Sequence, residues 1–322
     1  MAAPRMITCA LALATLTLSA CSPAGRTLSG GEPIASGVAG GPTSSAAEPS
    51  TSAAAPLTPE GYKGELQGVH KSVLDSLNAV AGAKSVKTLD ERVERAEAAL
   101  RSAADSLDAV APPADVQAQH DTYVAGLRDL AAEFSSATGK VGNRELCTAS
   151  GVFSDLGAKL GALDDAGEAL QSAGDYPADV VTVKAGSKQN RRLSTGAFLK
   201  RENLNGRSSL QISNGGDRDA VVTLMRGGTK AFSVYVRKNG KYKVRGVRDG
   251  SYRIYFTHGV DWDGKLRSFS RRCSFERFQK SVKFKTTYTS TQILWHDWRI
   301  TLHAITGGNA PTDTVDPGSF PS

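Results

Sequence analysis

The amino-acid sequence predicts an α+β protein of two domains, an N-terminal antiparallel four-helix bundle followed by an all-β antiparallel sandwich. Apolar residues recur at helical spacing over 58–174, and their spacing changes to alternation after Tyr176. Charge divides the chain at the same point. Residues 60–175 carry 11 Lys and Arg against 19 Asp and Glu, a net charge of −8, whereas residues 176–322 carry 26 against 11, a net charge of +15. We therefore expect an acidic helical domain to precede a basic β domain.

Residues 1–20 have the composition of a secretory signal peptide. Arg5 supplies a positive start, and the uncharged run over 7–20 is shorter than the ~20 residues that a membrane span needs. The run ends in Leu18-Ser19-Ala20-Cys21, which resembles the lipobox of bacterial membrane lipoproteins. The resemblance implies a diacylglyceryl group on Cys21 that anchors the chain at the extracytoplasmic face of the cell membrane. The alternative is an ordinary signal peptide with an unmodified cysteine.

Residues 21–57 are predicted to form a disordered tether. Of the 36 residues from 22 to 57, 29 are Gly, Ala, Ser, Thr or Pro, too polar and small to order themselves by burial. A flexible chain of this length has a mean span of about 30–36 Å. We expect it to hold the folded part clear of the bilayer.

Two helix starts are visible at the beginning of the region 58–174. Thr58 and Pro59 supply an N-cap and a proline at the first helical position, and Thr88 with Glu91 predicts a capping box for the second helix. The second helix has the strongest periodic signal in the chain, a heptad seam. Its members are Leu89, Val93, Ala96, Leu100, Ala103, Leu107 and Val110.

Two more helices are expected after this seam. Pro112 and Pro113 end the second helix and open the third, and the fourth is expected from about Arg144 to Ala173. Short breaks between successive helices favour antiparallel neighbours, and hence a bundle.

Alternating apolar residues predict six to eight short strands within 176–306, and residues 307–322 are predicted to be a flexible tail. Asn-Gly and Asp-Gly pairs between such runs favour hairpins. The turn signals are Asn214-Gly215-Gly216, Arg226-Gly227-Gly228, Asn239-Gly240 and Asp249-Gly250. This spacing is typical of a sandwich or small barrel. The stretch 214–256 is similar to β-sandwich modules of uncharacterised secreted bacterial proteins, a resemblance that implies a fold and no activity.

The cysteines have different expected fates. Cys9 leaves with the signal peptide, and Cys21 carries lipid. Cys147 and Cys273 remain as an even pair in a compartment that permits disulfides. Either they form a bridge, or they are two separate thiols.

Eight basic residues on the solvent side of the strand alternation form a candidate anion-binding face, because such a surface attracts anions. They are Arg237, Lys241, Lys243, Arg245, Arg253, Lys283, Lys285 and Arg299. The expected partners are an anionic wall polymer or phospholipid headgroups, and no nucleic acid is expected in the envelope. The alternatives are a solvated face, or a face that docks on the acidic helices.

No motif predicts catalysis, a cofactor or a metal site. Residues 259–265 match most of a P-loop, but Leu266 stands where Mg²⁺ coordination needs Ser or Thr. Asp261 and Asp263 lack the further oxygen ligands that Ca²⁺ requires.

The three tryptophans, Trp262, Trp295 and Trp298, can stack on sugars, although aromatic residues of small β domains more often pack in the core. The sequence therefore predicts a non-enzymatic, lipid-anchored envelope protein that binds an anionic component. The alternative is a structural or assembly protein whose helical bundle binds an unknown envelope protein.

Overall fold

The computed structural model describes residues 55–303 and 310–321. The predicted signal peptide, the lipidation residue Cys21 and nearly all of the predicted tether lie outside the described residues. Within them, helices come first and mostly antiparallel sheets follow, which is the predicted α+β order. The helices are α1 (Pro59–Ala81), α2 (Val86–Asp108), α3 (Gln117–Gly142), α4 (Ala149–Asp155) and α5 (Gly157–Gly174), with a short 3-10 helix at Ala114–Val116.

The first helix begins where the sequence predicts. The Thr58 hydroxyl accepts a hydrogen bond from the Gly61 amide at 3.2 Å, and Pro59 occupies the first turn. The predicted cap of the second helix was wrong, because α2 begins three residues earlier. Ser85 is its N-cap, and the Thr88 hydroxyl accepts from the Ser85 amide at 3.2 Å, closing a capping box.

The heptad seam is confirmed as the buried stripe of α2. Its residues from Leu89 to Leu107 are at most 4% exposed, and Val110 is partly buried against the same helical core. Helix α2 lies between α1 and α3, and α5 packs against α3. His120 of α3 lies within this core, where its Nδ1 is 3.0 Å from the Tyr62 hydroxyl.

The predicted fourth helix was wrong in its extent. Residues 144–148 are not helical, and Leu156 separates α4 from α5, so five α-helices stand where four were predicted. The reason is contact with a strand distant in sequence. The Cys147 amide donates to the Ser270 carbonyl at 2.8 Å, and the Cys273 amide donates to the Arg144 carbonyl at 3.0 Å. These bonds satisfy backbone groups that a helix would otherwise satisfy internally.

A disulfide joins the helical segment to the β segment at this point. Cys147 and Cys273 are bonded, with their Cα atoms 6.4 Å apart and both side chains buried. Helix α4 approaches the same strand so closely that a Cβ on Gly151 would lie 2.7 Å from the Ser270 carbonyl oxygen. Glycine at this position is therefore needed for the helix to pack here.

Three sheets hold the strands of the described residues. The strands are β1 (Phe198–Arg201), β2 (Ser208–Asn214), β3 (Asp219–Arg226), β4 (Thr229–Val236), β5 (Gly240–Val247), β6 (Gly250–Asp263), β7 (Ser268–Phe278), β8 (Val282–Phe284), β9 (Thr286–Tyr288), β10 (Ile293–Trp295), β11 (Trp298–Thr301) and β12 (Thr312–Thr314). The seven-stranded sheet has the order β1-β4-β3-β6-β7-β12, with β8 also paired to β6. The three-stranded sheet is β11-β2-β5, and β9 and β10 form a separate hairpin.

Two details of the predicted β topology were wrong. Strand β11 pairs with β2 in parallel, so the sheets are not wholly antiparallel. Of the four turn signals, only Arg226-Gly227-Gly228 closes a hairpin, between β3 and β4. The other three lead from a strand of one sheet to a strand of the other. Glycine and asparagine meet the backbone demands of a tight reversal, but they do not specify the partner of the next strand.

The seven-stranded sheet is covered on both faces. One face shares a core with the three-stranded sheet, to which Val222 and Phe256 contribute from the first sheet and Ile212 and Val244 from the second. The opposite face carries a second cluster that includes Tyr235, Trp262 and Phe269. Cys147, between α3 and α4, belongs to this cluster, and Val86 of α2 packs against it. The helices therefore lie on one side of this sheet and the three-stranded sheet lies on the other.

Candidate anion-binding surface

Four of the eight predicted basic residues share one surface. Lys241, Lys243 and Arg245 alternate along β5 with Tyr242 and Val244, whose side chains face the core between the sheets. Arg299 lies on β11 in the same alternation, next to the buried Ile300. The four basic side chains therefore point outward from the three-stranded sheet, on the side away from the helices. We call this set, Lys241, Lys243, Arg245 and Arg299, the basic face.

Strand register brings the basic face together. Lys243 is paired with Gln211 of β2, and Gln211 is paired with Arg299 of β11, so these three side chains form one row across the sheet. Directly opposed residues have Cβ atoms about 4.5–5.5 Å apart. Lys241 and Arg245 flank the row along β5, about 13 Å from each other at ~3.3 Å per residue.

One carboxylate neighbours the basic face, that of Asp297, whose Oδ1 accepts from the Ser209 amide at 2.6 Å. Strands β2, β5 and β11 contain no Asp or Glu. All four basic side chains are exposed, and none forms an ion pair within the described parts of the chain. A concentrated positive charge of this kind attracts phosphate and carboxylate groups over the range of a Debye length.

The other four predicted residues lie elsewhere. Arg253 of β6 pairs with Met225, and Lys283 of β8 pairs with Ser251, which places both on the face of the seven-stranded sheet opposite to its core with the three-stranded sheet. Arg237 follows β4, and its Nε donates to the Leu193 carbonyl at 2.8 Å. Lys285 lies between β8 and β9. The predicted eight-residue face is thus divided in the structure.

Buried carboxylates of the β region form ion pairs with partly exposed arginines. The Arg192 guanidinium binds both carboxylate oxygens of Asp219, and the Tyr235 hydroxyl and the Lys238 amide also donate to this carboxylate. Burial by itself would raise the pKa of Asp219, but these donors hold its pKa below the ordinary value. Asp219 therefore remains charged and paired inside the fold.

The carboxylates of Asp261 and Asp263, the two candidate calcium ligands, accept hydrogen bonds from other groups of the protein. Asp261 accepts from Arg191 Nε at 2.8 Å and from the Arg191 amide at 2.9 Å. Asp263 Oδ1 accepts from the amides of Lys265 and Leu266 in the β6–β7 turn. Across residues 55–303 and 310–321, no group of three or more His, Cys, Asp or Glu is arranged to hold a metal ion.

His258 is a buried titratable group near the end of the sheet, 6% exposed, and its ring meets that of Phe256 edge to face with centroids 5.5 Å apart. Its Nδ1 has no hydrogen-bond partner within the described residues, since Glu276 Oε1 lies 4.0 Å away. Burial, aided by the charge of Arg218, lowers the pKa of His258 from 6.5 to about 4.

This lowered pKa predicts a stability loss in mild acid. Between pH 6.5 and about 4 the unfolded chain binds a proton at His258 that the folded chain does not, so the free energy of unfolding falls as pH falls through this window. The loss attributable to His258 is at most roughly 3 kcal/mol. Denaturant titrations at pH 7 and 4.5 measure it, and His258→Gln should reduce the difference, whereas the exposed His296→Gln should not. An equal difference in both variants would contradict the prediction.

Two of the three tryptophans are not packed in the core, where the sequence favoured placing them. Trp262 is buried at 3% exposure beside Phe269, but Trp295 and Trp298 are 47% and 40% exposed. The three tryptophans thus do not form one platform. Sequence reasoning missed the exposed pair, although one signal was present. Ile293, Leu294 and Trp295 are consecutive apolar residues in a strand, and neighbouring residues of a strand face opposite sides.

Comparisons with protein-family models, with curated proteins and with the solved structures found no match to this chain. No helix among residues 55–303 and 310–321 is both long enough and apolar enough to span a membrane.

Proposed function

We propose that this protein is an exported, lipid-anchored component of a bacterial cell envelope that binds an anionic envelope component without catalysis. The observation that carries the proposal is the basic face, four exposed cationic side chains on two strands, β5 and β11, that form no ion pair within the described residues. The lipobox-like Leu18-Ser19-Ala20-Cys21 and the Gly/Ala/Ser/Pro-rich segment that follows support the anchored location. A phosphate-bearing polymer or headgroup provides the complementary charge.

The layered arrangement supports this use of the basic face. We propose that the two larger sheets form a β-sandwich and that α1, α2, α3 and α5 form a four-helix bundle. The bundle lies on the face of the seven-stranded sheet that the three-stranded sheet does not cover. The core between the two sheets, the cluster that joins the seven-stranded sheet to the helical segment and the Cys147–Cys273 bond support the basic face from behind. Because the acidic helices and the basic face lie on opposite sides of the seven-stranded sheet, the basic face does not dock on the helices.

The alternative, an assembly role for the helical region, has less support. Exposed apolar residues on the helices would favour it. Among the described residues, the exposed large apolar side chains all lie within 288–298, and none lies on a helix.

A binding experiment with a matched charge control tests the proposed function. We expect Lys243→Ser/Arg245→Ser/Arg299→Ser to weaken binding of an anionic wall polymer about 100-fold at low salt, from ~1 kcal/mol per basic residue. The control is Lys200→Ser/Arg253→Ser/Lys265→Ser, which removes the same charge from exposed positions outside the basic face. Isothermal titration at two salt concentrations measures both affinities. Equal losses in the two variants, or binding by the unaltered chain that is insensitive to salt, would count against the basic face.

A further inference from the structure

A second feature lies beside the basic face. The large apolar side chains that are exposed in the described residues are confined to one short stretch, and they are Tyr288, Ile293, Leu294, Trp295 and Trp298. The first four belong to the hairpin of β9 and β10, which is hydrogen-bonded to neither of the larger sheets. We call residues 286–298 the apolar hairpin. Clustered exposure of this kind marks a contact surface.

The apolar hairpin exposes large apolar side chains on both faces, three on one face and one on the other. Ile293 is paired with Tyr288, and Trp295 is paired with Thr286, so these four side chains share one face. Leu294 and its partner Thr287 lie on the other face. A groove on a protein partner would cover one face of a hairpin, whereas the interfacial region of a bilayer surrounds both. The distribution of apolar residues therefore favours a lipid surface.

The tip of the hairpin carries no charge, since residues 289–292 are Thr, Ser, Thr and Gln. Some of its polar groups are paired within the turn. The Thr289 amide donates to the Gln292 carbonyl at 2.9 Å, and the Gln292 amide donates to the Thr289 hydroxyl at 3.0 Å. The side chains of Ser290, Thr291 and Gln292 still need polar partners, which favours a shallow position at the level of the headgroups.

The base of the hairpin is cationic. Residues 280–299 contain Lys280, Lys283, Lys285 and Arg299 against one carboxylate, Asp297, and Thr286 at the base also donates to the carboxylate of Asp249. Trp298 is held at this base by its indole nitrogen, which donates to the Lys283 carbonyl at 3.0 Å, and it directly precedes Arg299 of the basic face. Tryptophan and tyrosine favour the membrane–water interface, and clustered Lys and Arg are attracted to anionic headgroups.

We propose that the apolar hairpin inserts shallowly into the interface of a bilayer that contains anionic phospholipid, with the basic face against the headgroups. The inference rests on the proposed function, because it identifies phospholipid as the anionic component. A lipid tether would raise the local concentration of the bilayer, so the hairpin needs only modest affinity to hold the folded part against it.

The test uses the full exported chain carrying Cys21→Ser, so that no acyl group contributes. It is mixed with vesicles of phosphatidylcholine alone or of equal phosphatidylcholine and phosphatidylglycerol. We expect binding to the anionic vesicles, with a blue shift of tryptophan emission as Trp295 and Trp298 leave water. Leu294→Ser/Trp295→Ser should weaken this binding about 30-fold. Leu294→Phe/Trp295→Phe keeps the apolar surface in the same backbone and should retain binding.

The outcomes separate the two proposals. If the serine variant binds anionic vesicles as tightly as the unaltered chain, or if the emission of the unaltered chain does not shift, the hairpin inference is overturned. The polymer affinities of the basic-face variants then still decide the proposed function. Light scattering gives a further outcome. If the unaltered chain is a dimer that the serine variant converts to a monomer, the hairpin pairs with a second copy, and insertion into lipid is overturned.

Discussion

Replacing Cys147 and Cys273 together with alanine is expected to lower the free energy of unfolding by roughly 4–5 kcal/mol. The bond closes a loop between residues 126 apart in sequence, so its loss frees the unfolded chain over that whole length. The two sulfurs are also buried at the junction between the helical segment and β7. We therefore expect the helical and β parts to lose their cooperative unfolding along with this stability.

Denaturant titration followed by circular dichroism and by tryptophan fluorescence measures both effects. The first signal reports mainly the helices, and the second reports the β region, which contains all three tryptophans. Adding dithiothreitol to the unaltered chain should reproduce the result, and adding it to the double variant should change nothing further. A loss below about 1 kcal/mol would show that the junction is held by its backbone hydrogen bonds and packing, and not by the covalent bond.

The helical region was predictable where its structure is decided locally. The cap at Thr58 and the seam from Leu89 to Leu107 depend on contacts three to seven residues apart, which the sequence displays directly. Residues 144–148 were assigned to a helix because nothing local excludes one. Their actual conformation depends on pairing with Ser270 and Cys273, which are more than 120 residues away in sequence. Tertiary contact overrides local propensity there.

The candidate site, like the helical region, was predictable only where its geometry is decided within one element. Lys241, Lys243 and Arg245 alternate along one strand, so the sequence alone places them on one face. Whether Arg299 or Arg253 joins them depends on strand pairing. Strand β11 pairs in parallel with β2, which places Arg299 on the basic face. Strand β6 belongs to the seven-stranded sheet, so Arg253 is not part of the basic face. A turn signal identifies a reversal of the chain, but it cannot say which sheet the next strand enters.

Asp219→Ala is expected to destabilise the protein by roughly 3–5 kcal/mol, the usual cost of removing one partner of a buried ion pair. Asp219 is 6% exposed and accepts from Arg192, from the Tyr235 hydroxyl and from the Lys238 amide. Alanine would leave a partly buried guanidinium, a buried phenol and an amide without their acceptor. It would also loosen the segment around Arg192 from the end of β3, where Asp219 begins the strand.

A matched control lies two residues away. Asp217 also pairs with an arginine, Arg272, at 2.8 Å, but its side chain is 68% exposed. A surface pair of this kind contributes at most about 1 kcal/mol, so Asp217→Ala should have little effect on the denaturant midpoint. Similar losses in the two variants would contradict the role of burial at Asp219.

The pH dependence provides an independent test of the same carboxylate. Because the pKa of Asp219 is lowered in the folded state, its contribution to stability is complete above the pKa of the unfolded chain, near 4. That contribution is lost as pH falls through the lower folded value. Asp219→Ala should therefore show a shallower fall in the free energy of unfolding between pH 4 and pH 2 than the unaltered chain. Parallel curves over this range would mean that Asp219 is not held ionised by Arg192, and that its role is confined to hydrogen bonding and packing.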